Sequence, residues 1–150
     1  MVSRVKEVRR LVEAVPDPEI PVLTIGDLGL VRAVEEEGGS LIVRLTPTYS
    51  GCPASDVIRR DVEAALASGG FADAVVETRL APAWTTDWMS EAGKAKLAAY
   101  GIAPPAYGPV LCPHCSSAAV EELSRFGATP CKALWRCLDC REPFERFKCL

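Results

Sequence analysis

Two Cys-x-x-Cys knuckles, Cys112-Pro113-His114-Cys115 and Cys137-Leu138-Asp139-Cys140, constrain this chain more than any other feature. Each puts two thiols on one tight turn, and two such turns complete a tetrahedral site of four sulfurs around a single ion. The 21 residues between them slightly exceed the usual spacing of the pattern. Six of the seven cysteines fall within residues 112–150, a 39-residue segment with few large apolar side chains. A segment that short lies under the roughly 40 residues below which a metal or disulfides are usually needed for folding. Ordering its backbone costs roughly 1–2 kcal/mol per residue, and structural zinc contributes on the order of 10–16 kcal/mol in comparable peptides. The segment therefore reads as a metal-stabilised ribbon with ligands Cys112, Cys115, Cys137 and Cys140, and with short strands over residues 120–126, 133–136 and 144–147.

Zinc is favoured because closed four-thiolate sites are a common structural form of that ion, although structural iron uses similar knuckles. His114, the single histidine, sits inside a knuckle where its backbone is needed for the turn, and it reads as a non-ligand. Cys131 and Cys149 are surplus thiols: small buried or paired cysteines, or ligands of a second metal or transient cluster.

Ahead of the ribbon the pattern is that of an α+β domain. Ser3 can cap a helix whose apolar positions Val5, Val8, Leu11, Val12 and Val15 share one face, and Pro16 and Pro18 stop it. Residues 30–34 and 41–45 read as strands of a hairpin about Glu35-Glu36-Glu37-Gly38-Gly39. Residues 53–68 carry a helical stripe closed by Gly69-Gly70, residues 74–80 a third strand, and residues 91–100 a last helix ended by Gly101. The fold class expected is α+β, a small mixed sheet packed with helices and followed by a zinc-ribbon module. Adjacent prolines in Ile102-Ala103-Pro104-Pro105-Ala106-Tyr107-Gly108-Pro109 break every periodicity. This places the first domain at 1–103, a linker at 104–110 and the ribbon at 111–150.

Charge excludes some functions. The chain carries 17 basic and 20 acidic residues, divided 11 to 15 up to residue 110 and 6 to 5 beyond it, so neither part has the basic footprint of a nucleic-acid binder. No apolar run is long enough to span a membrane, and the N-terminal residues lack the apolar core of a secretory signal. A reducing cytoplasm is the expected location, where clustered cysteines hold metal or do redox chemistry rather than form disulfides.

The seventh cysteine stands apart. Cys52, in Ser50-Gly51-Cys52-Pro53, falls between the second strand and the helix that Pro53 opens. That makes it a candidate N-cap, where free amides and the helix dipole stabilise a thiolate able to attack an electrophile or to hold iron or a cluster edge. Asp17 and Glu19, in the proline-stiffened loop Asp17-Pro18-Glu19-Ile20-Pro21, are carboxylates that could orient a metal or partner. A thiol hydrolase would want a histidine base, and the lone histidine lies in the ribbon.

Asp17-Pro18-Glu19-Ile20-Pro21, Asp27-Leu28-Gly29-Leu30-Val31 and Ser50-Gly51-Cys52-Pro53 together resemble the metal-sulfur cluster biosynthesis domain of SufT-like assembly factors. Trp84-Thr85-Thr86-Asp87-Trp88-Met89, Gly101-Ile102-Ala103-Pro104-Pro105 and the cysteine ribbon extend the resemblance over nearly the whole chain, to the PaaD (PaaJ) family of proteins encoded with phenylacetyl-CoA epoxidase. The resemblance implies an accessory role in aerobic phenylacetate degradation rather than catalysis by this chain. The role implied is maturation of the iron or iron-sulfur centres of the epoxidase's oxygenase or reductase, alongside the iron-sulfur assembly machinery. It makes Cys52 the reactive cysteine handling a transient iron or cluster, Glu19 the loop carboxylate, and the four knuckle cysteines the ribbon ligands. Two other classes remain as alternatives: a stable structural subunit of the oxygenase, and a zinc-ribbon protein that binds nucleic acid, which the charge disfavours.

Overall fold

The structure, a computed structural model, describes residues 3–48 and 54–149. It divides into two compact units, Met1–Ser90 and Glu91–Leu150.

In the first unit, helix α1 (Arg4–Glu13) starts where Ser3 accepts the Lys6 N–H at 3.2 Å, satisfying one of the amides a helix start leaves over. Strands β1 (Val31–Glu37) and β2 (Ser40–Leu45) pair antiparallel around Gly38 and Gly39. Their φ values of 57° and 82° supply the left-handed backbone that a two-residue hairpin loop requires. Sequence periodicity gives no hint of helix α2 (Ile25–Leu28), because four residues show no repeat. It forms through reciprocal caps: Thr24 Oγ1 accepts the Asp27 N–H and Asp27 Oδ2 accepts the Thr24 N–H, both at 3.0 Å.

Helix α3 (Ala54–Ser68) carries the chain back so that β3 (Val75–Thr78) pairs parallel with β2, giving the order β1-β2-β3. Leu41, Val43 and Leu45 alternate inward along β2 and, with Val8 and Val12 of α1 and Val62 and Leu66 of α3, are buried. On the opposite pleat Arg44 bonds Glu35, and it also bonds Glu37 and Glu77, each at 3.2 Å. Glu36 pairs with Arg4 at 3.1 Å. The acidic run of the hairpin is thus partnered by arginines.

Gly29 ends α2 at φ 75°. Trp84 donates its indole N–H to Leu28 O at 2.8 Å, the Arg32 guanidinium lies 3.6 Å over the Trp88 ring, and a Cβ on Gly29 would meet Trp88 O at 2.3 Å. The segment after β3, with a 3-10 turn at Thr86–Trp88, is therefore strapped onto the end of α2.

The second unit begins with helix α4 (Glu91–Ala99) and holds strands β4 (Ile102–Ala103), β5 (Val120–Ser124), β6 (Lys132–Cys137) and β7 (Pro143–Phe147) in the order β4-β7-β6-β5. Here the expected boundary needs correction. Ile102 and Ala103 pair parallel with Glu145 and Arg146 of β7, so the end of the expected first domain is an edge strand of the ribbon sheet, and α4 goes with it. Two paired residues followed by two prolines leave no alternation to read. Residues 104–110 accordingly run inside the second unit rather than between two. The α+β class, the small mixed sheets and the C-terminal ribbon are as expected, and no helix among the described residues is long and apolar enough to cross a membrane.

Candidate functional site

The ribbon brings its two knuckles face to face. Cys112 lies just before β5 in a turn closed by the Ser116 N–H to Cys112 O (2.8 Å) and the Cys112 N–H to Ser117 O (2.9 Å). The second knuckle joins β6 to β7, with the Cys137 N–H donating to Glu142 O at 3.0 Å. In both, the residue after the second cysteine turns left-handed, Ser116 at φ 64° and Arg141 at φ 66°. Neither is the Gly, Asn or Asp that would have flagged such a turn. The knuckles are tied to each other by a hydrogen bond from Ser117 to Asp139 and by the Leu138 N–H to Ala119 O at 2.8 Å.

The sulfurs of Cys112, Cys115, Cys137 and Cys140 lie within 4.8 Å of one another, with Cys112 to Cys140 at 3.7 Å and Cys115 to Cys137 at 3.5 Å. Four sulfurs around zinc at about 2.3 Å stand about 3.8 Å apart at tetrahedral angles. The donor set fits that ion. Each knuckle also aims a backbone N–H at its first sulfur, His114 to Cys112 at 3.3 Å and Cys140 to Cys137 at 3.4 Å, which favours thiolates. Cys112 and Cys137 are buried, Cys140 is half-buried and Cys115 exposed, and Ala103 and Phe144 pack with the two buried cysteines.

Four thiols this close compete for negative charge. The Cys140 N–H holds Cys137 down to about 7, with the Asp139 N–H helping and burial opposing. At Cys140 the Glu142 N–H favours the thiolate, but burial and the neighbouring sulfurs outweigh it and push the thiol up to about 12. Cys115 is likewise raised, the Ser117 N–H opposing the combined effect of Cys137, burial and Cys112. Without a cation the cluster therefore keeps protons that an ion must displace.

Other expected residues lie elsewhere. Among the described residues, no histidine or carboxylate joins the sulfur cluster. Cys131 is buried with its sulfur 3.0 Å from Thr129 Oγ1, and Cys149 is half-buried with its sulfur 3.5 Å from Ala106 O. Asp17 is buried and accepts the Glu19 N–H at 3.1 Å, while its own N–H donates to Leu23 O at 2.9 Å, so it organises the turn that carries Glu19. Cys52 lies outside the described residues.

Comparison with known proteins defines the class first. Residues 6–77 match the family of iron-sulfur cluster assembly proteins, and residues 105–148 match the PaaD zinc beta ribbon domain. A crystal structure of a domain of unknown function, DUF59, from Bacillus anthracis aligns with TM-score 0.57 at 29% identity, covering 62% of this chain and 90% of that one. An Fe-S protein maturation auxiliary factor of Porphyromonas gingivalis is 36% identical over 88 residues, 57% of this chain and 83% of its own. Over nearly its whole length the chain is 47% identical to a protein of Escherichia coli strain K12 whose name makes it one of the subunits of 1,2-phenylacetyl-CoA epoxidase, covering 98% of this chain and 94% of that one. The chain belongs to this PaaD family, an iron-sulfur assembly domain joined to a zinc ribbon.

Proposed function

We propose that this protein is an accessory maturation factor of the phenylacetyl-CoA epoxidase system in phenylacetate degradation, helping to load iron or iron-sulfur centres of its oxygenase or reductase subunits through Cys52. The observation that carries this reading is the union in one chain of an assembly domain related to Fe-S maturation factors with the PaaD ribbon. In this reading Cys52, two residues ahead of α3 in the sequence, is the soft donor that holds the iron or cluster in transit. The turn set by Asp17 presents the Glu19 carboxylate to the same cargo. Cargo leaves when client ligands replace these donors one by one, a ligand exchange that needs no net redox change at the protein. The knuckle cysteines hold a resident structural ion, zinc by their chemistry, whose binding energy sustains the small ribbon. The protein then has no catalytic turnover of its own and works in the cytoplasm beside the assembly machinery.

The name of the Escherichia coli relative also supports a second reading, a stoichiometric structural component of the oxygenase. Cys52→Ser separates the two. With Cys52→Ser as the sole copy, the maturation reading expects a folded protein and loss of epoxidase activity. Full activity would eliminate the transfer role and leave the structural reading.

A further inference from the structure

Residues 104–110, which the sequence presents as a linker, wall a cavity of about 300 Å³ in the second unit. Its floor is Ala103 and Arg146, directly opposite each other in the β4–β7 ladder. The wall is pinned by two contacts on one carbonyl: Ala106 O accepts from Arg146 Nη2 at 3.0 Å and from the Cys149 thiol at 3.5 Å. Ala98 of α4 and, around the first knuckle, Leu111, Cys112, Pro113 and Ser116 complete the lining. The cavity is a cleft open to solvent on one side, lined by the small side chains of three alanines and by prolines.

Its chemistry is lopsided. Arg146 is the one charged residue in the lining, and Ser116 supplies a hydroxyl. Among the described residues no carboxylate pairs with Arg146; its other contacts are the Cys149 sulfur at 3.9 Å and the Trp135 ring at 5.9 Å. This half-buried guanidinium, with no carboxylate partner among the described residues, keeps N–H groups in a planar fork that matches a carboxylate. We propose that this cavity is a binding site for a small organic monocarboxylate with a flat or aliphatic body, its acid group on Arg146 and its apolar part against Ala103, Pro104 and Val110. The volume lies at the small end of ligand pockets, which run roughly 300–1,000 Å³. A single cation does not suit a nucleotide or other polyanion, and the apolar lining does not suit a free inorganic anion. The proposal makes no use of Cys52, so it stands or falls independently of the transfer role. Because Leu111 and Pro113 flank Cys112, an occupant also shields one ligand of the sulfur cluster.

The test is a titration of the full-length, zinc-loaded protein with benzoate and hexanoate, monitored by calorimetry and by amide shifts. Neutral benzamide and inorganic phosphate serve as comparisons. Saturable binding of the carboxylates below about 10 mM, with shifts centred on residues 103–116 and 146, is the result expected. Benzamide and the Arg146→Gln variant should each weaken binding by about tenfold or more, as loss of a charge-assisted pair does. Ala98→Trp, on an exposed position of α4, should block the cavity while leaving zinc content and circular dichroism unchanged, and it keeps the test open if Arg146→Gln misfolds. The proposal is overturned if no carboxylate saturates, if benzamide or phosphate binds equally well, or if Ala98→Trp binds like the parent protein.

Discussion

Gly29→Ala tests the strap that the structure places across the end of α2. Gly29 sits at φ 75°, and an alanine there carries a left-handed penalty of about 1–2 kcal/mol. Its Cβ would also lie 2.3 Å from Trp88 O and 2.8 Å from Trp88 Cβ, so the Trp88 backbone must move. Moving it weakens the Arg32–Trp88 contact, worth about 0.5–1 kcal/mol, and the buried Trp84–Leu28 hydrogen bond, worth about 1 kcal/mol. The expected loss is about 2.5–4 kcal/mol. Gly38→Ala is the internal control, because Gly38 has φ 57° but nothing within 4 Å of its would-be Cβ, and only the backbone penalty of about 1–2 kcal/mol remains. Both variants are read by urea unfolding and by thermal scans with circular dichroism and tryptophan fluorescence. At about 4–8 °C per kcal/mol for a unit of this size, Tm should fall by about 10 °C or more for Gly29→Ala and by about half as much for Gly38→Ala. Equal losses would refute the close approach of Trp88 to Gly29.

Two further outcomes follow from the ribbon. Cys115 and Cys140 keep their protons at neutral pH without metal, so binding releases at least two, and apparent metal affinity should fall by about a hundredfold or more per unit as pH drops from 8 to 6. Bound thiolates have depressed pKa values, so the stability the metal contributes is present above the unfolded thiol value of about 8.5 and is lost as pH falls. A chelator competition series across pH checks this; a flat profile would contradict it. For the domain division, a chain ending at Ser90 should fold alone, whereas in a chain ending at Ala103 residues 91–103 should be cut readily by protease because β4 has lost β7. Protection of those residues in the chain ending at Ala103 would contradict the division.

What the sequence made legible was whatever repeats or clusters. The alternation in residues 41–45, the stripe in residues 53–68 and the paired knuckles each place several like residues at fixed spacing, so the hairpin, α3 and the four-sulfur cluster could be read directly. Features made of single contacts could not. β4 has two residues, α2 has four, and the left-handed turns at Ser116 and Arg141 use residues with no turn signature. The cavity beside Arg146 depends on β4 meeting β7, a pairing such as Ile102 with Glu145 that is too distant in sequence for any local pattern to encode. Pro104 and Pro105 marked a break in periodicity correctly, but a break in periodicity ends a strand as readily as it ends a domain.

The central claim is that this protein supplies metal centres to the epoxidase through Cys52, and iron and labile sulfide in the client subunits test it most directly. The oxygenase and reductase subunits are expressed with the protein, without it, and with Cys52→Ser, then purified anaerobically and assayed for both elements. The account predicts full iron and sulfide with the parent protein, and matching depletion in its absence and with Cys52→Ser. Equal metal and sulfide contents in all three preparations would contradict it.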